Sequence, residues 1–121
     1  MVFTAITYSQ TPVPSFSSVP AAVGGTITLC QGSTVTFANT STQTVAGATY
    51  TWNFGTGATP ATATGLGPHI VTYNTVTTPT TTVTLTVNNN NGTGAQNFSR
   101  LIDVNALPNA ALTLVSSGGG Y

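Results

Sequence analysis

The chain has 121 residues, enough for one domain of ordinary size, and carries one Lys or Arg, one Asp or Glu and one His. Charged residues make up 2% of it, against about 25% in an average soluble protein, which removes the clustered cations that nucleic acid or an anionic membrane surface requires and most acid–base chemistry with them. Val, Ile, Leu and Phe together reach 28 of 121 residues, just above the roughly 20% level below which a highly charged chain is better read as disordered, so a modest core is within reach. No run approaches the roughly 18 apolar residues of a membrane span, and Met1-Val2-Phe3-Thr4 lacks the basic start of a signal peptide; the expectation is a soluble chain, either mature or cut from something longer.

In chain order, Val2-Phe3-Thr4-Ala5-Ile6-Thr7-Tyr8 has strand-like composition. Ser15 to Val19 is a weaker strand candidate. Gly32 to Ala38 places Val35 and Phe37 on one face, and Tyr50-Thr51-Trp52-Asn53-Phe54 does the same with three aromatics at period two. Ile70 to Tyr73 is a further candidate, and Thr82 to Val87 alternates most cleanly, with Thr on the outward face. Asn97 to Val104 has mixed apolar parity, which leaves its inward face open. Ala111 to Val115 is again strand-like. Thr, about a fifth of the chain, suits a pleated surface because of its β-branch. Thr40 to Gly47, Gly55 to Gly67 and Asn88 to Gly94 are rich in Gly, Asn, Thr or Pro and read as turns and loops. Several short strands at this spacing predict an all-β sandwich of antiparallel sheets.

The two ends resemble each other. Gln10-Thr11-Pro12-Val13-Pro14-Ser15-Phe16 is echoed by Asn105-Ala106-Leu107-Pro108-Asn109-Ala110-Ala111, with an offset of 94 when Pro14 is matched to Pro108. A domain flanked by two copies of one Pro-containing joint is what a unit of a tandem array looks like.

Cys30-Gln31-Gly32-Ser33-Thr34-Val35-Thr36-Phe37, Trp52-Asn53-Phe54-Gly55-Thr56-Gly57, and Thr82 to Val87 followed by Asn89-Asn90-Asn91-Gly92 stand in the order of a known family. The sequence resembles a PKD (polycystic kidney disease) domain, an immunoglobulin-like β-sandwich, in the version found in repetitive surface proteins of Bacteroidetes-like bacteria. The motifs correspond to its Cys-x-Gly-Ser-x-Val-x-Phe strand, its Trp-Asp-Phe-Gly-Asp-Gly signature and its late strand and turn; Val104 to Pro108 corresponds to the usual exit into a next repeat. The match covers about residues 12 to 108. It implies a 1–11 extension or linker strand, a 12–105 sandwich and a 106–121 tail, with signature positions Val35, Phe37, Tyr50, Trp52, Phe54, Gly55, Gly57, Val83, Leu85 and Val87. Asn53 and Thr56 replace the two signature Asp, so any ordering of that turn must pass to neutral side chains. The family's early Cys often has a partner just after the Asn-Gly turn; Thr93 stands there, which leaves Cys30 alone.

The remaining chemistry is sparse. Trp52 is read as core rather than as a sugar platform, because it alternates with Tyr50 and Phe54. His69 lacks the companions for a zinc or calcium shell and reads as a loop or satisfied core histidine. Cys30 lacks an oriented base and an electropositive setting and is expected to be a buried hydrophobe near the start of its strand. Arg100 and Asp103, three apart on a strand, should face opposite sides as solvated edge residues. Asn39, Asn91 and Asn97 head Asn-x-Ser/Thr sequons. The expectation is therefore a non-enzymatic module with no catalytic residue, cofactor or metal, no nucleic-acid partner and no membrane insertion. It would be extracellular or at the cell surface and would contact copies of itself or adjacent repeats. A fibre or surface-layer subunit using its terminal strands is an alternative, with Phe3, Ile6, Tyr8, Leu112 and Leu114 as contacts; a carbohydrate-binding module, with a surface glycan as partner, is the other.

Overall fold

The computed structural model describes residues 10–77 and 79–107. They form nine strands: β1 Phe16–Val19, β2 Thr26–Cys30, β3 Ser33–Asn39, β4 Thr49–Asn53, β5 Ala58–Thr59, β6 Thr62–Thr64, β7 His69–Tyr73, β8 Thr81–Asn88 and β9 Ala95–Asn105. Two sheets, ordered β1-β3-β7-β5 and β2-β9-β8-β4-β6, pack as an immunoglobulin-like β-sandwich. All pairings are antiparallel except β2 with β9, which run parallel with Thr26 beside Leu101 and Cys30 beside Asn105.

Three features differ from the sequence reading, each for a local reason. Cys30 to Phe37 is not one strand: the Gln31-Gly32 turn, with Gly32 at φ 90°, hands the chain from β2 in one sheet to β3 in the other. Ile27 and Leu29 thereby supply an inward pair that continues the Val35 and Phe37 alternation across the break. The Gly55 to Gly67 segment holds two very short strands, β5 and β6, which cap one edge of each sheet. Finally, the inward face of β9 carries Phe98, Arg100, Ile102 and Val104, while Leu101 faces out at 43% exposure.

Val35, Phe37, Trp52, Phe54, Val83, Leu85 and Val87 have no solvent exposure, and Phe16, Ile27, Leu29, Val71, Tyr73, Ile102 and Val104 complete the buried cluster. Tyr50 keeps the inward parity of Trp52 and packs against this cluster but is only half-buried, beside a shallow groove of about 500 Å³ along Ala48, Thr49, Tyr50, Thr51, Thr64 and Gly65. The aromatics form a continuous stack: Phe37 and Trp52 both lie over Phe54, at centroid distances of 5.4 and 5.8 Å, and Phe16 meets Phe37 edge-on at 5.6 Å.

The signature turn after β4 follows from backbone constraint. Gly55 has φ 87°, and a Cβ there would sit 2.5 Å from Thr81 Oγ1 and 2.7 Å from the Thr82 carbonyl; one on Gly57 would sit 2.8 Å from Thr75 Cβ. Both the left-handed backbone and the close approach require glycine. Asn53 Oδ1 accepts the Gly55 amide at 3.0 Å, and Thr81 Oγ1 accepts the Thr56 amide at 2.8 Å, so neutral oxygens order the turn in the way Asn and Asp side chains generally do.

Candidate functional site

The pairings fix the direction of the chain. Gln10 lies beside the turn that joins β8 to β9, and Asn105 ends β9 at the other extreme of the same strand. The ten steps along β9 from Ala95 to Asn105, at about 3.3 Å each, separate the two poles by about 33 Å.

At the N-terminal pole the carbonyl oxygen of Gln10 is gripped by three side chains. Asn89 Nδ2 donates at 2.8 Å, Asn91 Nδ2 at 3.0 Å and Thr93 Oγ1 at 3.3 Å. Asn89 is 2% exposed and also donates to the Gln43 carbonyl at 2.9 Å while its Oδ1 accepts the Val45 amide at 3.3 Å. One buried amide thus satisfies backbone groups from two other segments, which water would otherwise have to reach. Pro12, Pro14 and Phe16 are buried as the chain runs on from this clasp, Val13 and Thr42 exchange backbone bonds at 2.9 Å, and Ser15 is held by Ser41 Oγ. The sequence reading passed over Asn89 among four consecutive Asn. The signal that marks it is parity, since the inward series Val83, Leu85, Val87 extends to position 89.

At the C-terminal pole β8 ends before β9 does, and Thr77 takes its place. Its amide donates to the Val104 carbonyl at 3.1 Å, its Oγ1 accepts the Val104 amide at 2.9 Å and donates to the Ile102 carbonyl at 3.3 Å. The Gln31 amide donates to the Asn105 carbonyl at 2.7 Å. A groove of about 230 Å³ lined by Thr56, Val76, Thr77, Thr80 and Thr81 opens beside this ladder.

Cys30 corrects the sequence reading on two counts. It ends β2 rather than starting its strand, and its side chain is exposed, because position 30 has the outward parity of Thr26 and Thr28. It also pairs with Asn105, whereas Thr93 precedes the start of β9. No residue at position 93 could bridge to it within one domain, since a disulfide spans less than about 7 Å between Cα atoms.

Arg100 and Asp103 do face opposite sides of β9, but Arg100 is on the inward side, half-buried, with its guanidinium carbon 4.2 Å from the centre of the Phe98 ring. The strand is an edge only in part. β2 covers positions 101 to 105, and Leu101 donates to Gly25. By alternation Ala95, Asn97 and Ser99 turn their backbone groups to the same side, where no strand pairs with them among the described residues. Phe3, Ile6, Tyr8, Leu112 and Leu114 lie outside the described residues.

Tyr73 is fully buried and donates to the Phe54 carbonyl at 2.8 Å; burial pushes its hydroxyl above the usual phenol range. Trp52 Nε1 donates to the Gly65 carbonyl at 2.8 Å, so the only Trp is sealed away from any sugar. Among the described residues no three His, Cys, Asp or Glu side chains come together to hold a metal, and no helix is long and apolar enough to cross a membrane. The chain matches no known protein-family model and no curated protein.

Proposed function

We propose that the chain is one unit of a repetitive extracellular assembly, a non-enzymatic structural and adhesion module that works through contacts with adjacent copies. The observation that carries this reading is directional: the polypeptide enters at Gln10 and leaves at Asn105, at opposite poles of the sandwich, and similar Pro-containing segments mark both ends. Units of that kind extend end to end and do not close on themselves. The resemblance to surface PKD domains points the same way, including the location at the cell surface. X-ray scattering from two copies joined in tandem tests it. An extended particle nearly twice as long as one copy is expected, and side-by-side packing would refute it.

A second reading, a fibre or surface-layer subunit that adds terminal strands to neighbours, is favoured by the outer edge of β9 at Ala95, Asn97 and Ser99, with which no strand pairs among the described residues, since such an edge accepts a strand. Light scattering at rising concentration decides it. Mass should grow for the full chain, not for a chain trimmed of residues 1–9 and 108–121, and be nearly insensitive to salt because one cation and one anion leave little to screen.

A further inference from the structure

We infer that Asn91 is a site of spontaneous covalent modification, where loss of the side-chain amide loosens the clasp on the N-terminal segment. The inference goes beyond the tandem reading and holds for a single copy as well as for an array. Asn91-Gly92 is the only Asn-Gly pair in the chain, and a glycine, having no side chain, leaves its own amide open to react. Gly92 is exposed, has φ 91°, and its amide donates to no acceptor among the described residues. In the reaction that nitrogen attacks Cγ of Asn91 and gives up its proton. The new C–N bond closes a cyclic imide, the bond from Cγ to Nδ2 breaks, and ammonia leaves. Water then opens the ring at either carbonyl. Aspartate forms when the new bond is cut, and isoaspartate when the original backbone bond is cut. Water is the only co-reactant, and ammonia the only product lost.

The surroundings of Asn91 decide both the rate and the effect. Its Nδ2 donates to the Gln10 carbonyl at 3.0 Å, and its Oδ1 accepts the Thr93 amide at 3.2 Å and, at 2.7 Å, the hydroxyl hydrogen that Thr93 shares with Gln10. Nδ2 must leave Gln10 before it can depart as ammonia, so ring closure waits on local opening of the clasp and runs more slowly than in a free peptide. Afterwards a carboxylate oxygen meets the Gln10 carbonyl where an N–H donor stood, and two acceptors repel. The Thr93 amide and hydroxyl bond a carboxylate at least as well as an amide oxygen. In the aspartate product the turn therefore persists while the grip on Gln10 weakens; isoaspartate, with a methylene added to the backbone, displaces the turn as well. A contact that opened only transiently is thereby held open. Asn89 and Asn90 do not share this chemistry, because each is followed by a residue with a side chain that hinders attack, and Asn89 is buried besides.

Peptide mapping of the full chain during incubation in mildly alkaline buffer tests the site. Aspartate and isoaspartate are expected at position 91 before any other Asn converts, about tenfold or more slowly than in a free peptide of residues 88–95. Asn91 left intact over many half-lives of that peptide, conversion as fast as in the peptide, or earlier conversion of another Asn would overturn the inference. Asn91→Asp tests the effect. Hydrogen exchange at the Val13 amide, which bonds the Thr42 carbonyl, should quicken about tenfold, the weight of one lost hydrogen bond, while exchange in β8 stays as it was. Unchanged exchange at Val13, or an equal rise in β8, would overturn the release. The converted fraction of the parent chain, separated by its added negative charge, supports the same comparison if the variant folds poorly.

Discussion

Trp52 and His69 share one acceptor. The indole Nε1 and the imidazole Nε2 approach the Gly65 carbonyl oxygen at 2.8 and 3.2 Å, with the rings edge to face at 5.3 Å. A carbonyl only accepts, so Nε2 of His69 carries a hydrogen there. The lone histidine is thereby explained as a partner of the core tryptophan, closing the end of β7 over it.

Trp52→Ala should cost about 3 to 5 kcal/mol through the cavity it leaves, whereas Trp52→Phe should cost about 1 to 2 kcal/mol, mainly the lost hydrogen bond. Denaturant unfolding measures both. A loss under about 1 kcal/mol for the alanine variant would contradict its place at the centre of the core.

Asn89→Ala should destabilise by about 2 to 4 kcal/mol, since it strips partners from the Gln10, Gln43 and Val45 backbone groups. Asn89→Asp adds a sign to the test. A buried carboxylate facing two carbonyl oxygens has its pKa raised above the ordinary value of about 3.9, so this variant should be most stable below that pH and lose stability as pH rises through it. The parent chain serves as the control; an acid-range profile for the aspartate variant no different from the parent's would count against the clasp.

Alkaline stability should follow Tyr73. Its folded pKa is raised by burial, so the unfolded chain releases a proton from about pH 10 upward while the folded one retains it, and stability present below that pH falls as pH rises. Tyr73→Phe should remove that share of the slope while costing about 1 to 3 kcal/mol at neutral pH, because the Phe54 carbonyl loses its buried donor. Unfolding curves at rising pH, read alongside tyrosinate absorbance, check this.

Cys30 should react in the native protein with a disulfide reagent at close to the rate of the unfolded chain, because its side chain is exposed at the end of β2. Strong protection of the thiol would mean that this pole is covered in solution.

What could be read ahead of the structure was alternation where one face is wholly apolar. β8 and β4 were legible for that reason, because Val83, Leu85 and Val87 or Trp52 and Phe54 oppose an unbroken row of Thr or Asn. β9 was not, since Arg100 points in and Leu101 out, which reverses the rule at two adjacent positions. β2 was missed because its apolar series runs on into β3 and only the glycine turn divides them. The polar ties at the poles depend on which Asn of four reaches which carbonyl. Composition carries no such information, and of those ties only the inward parity of Asn89 leaves a trace in sequence.

The parallel pairing of β2 with β9 has a mechanical consequence. Tension applied between Gln10 and Asn105 draws β2 toward one pole and β9 toward the other, so the ladder from Thr26–Leu101 to Cys30–Asn105 is loaded along its length, and its bonds share the force instead of opening one after another. A chain stretched through its ends should therefore resist rupture far better than the same chain pulled across a sheet, for example between Ser18 and Thr59 on the outer strands β1 and β5. Single-molecule extension along the two directions would show it as a higher unfolding force for the first, set by the rate of unfolding and not by equilibrium stability.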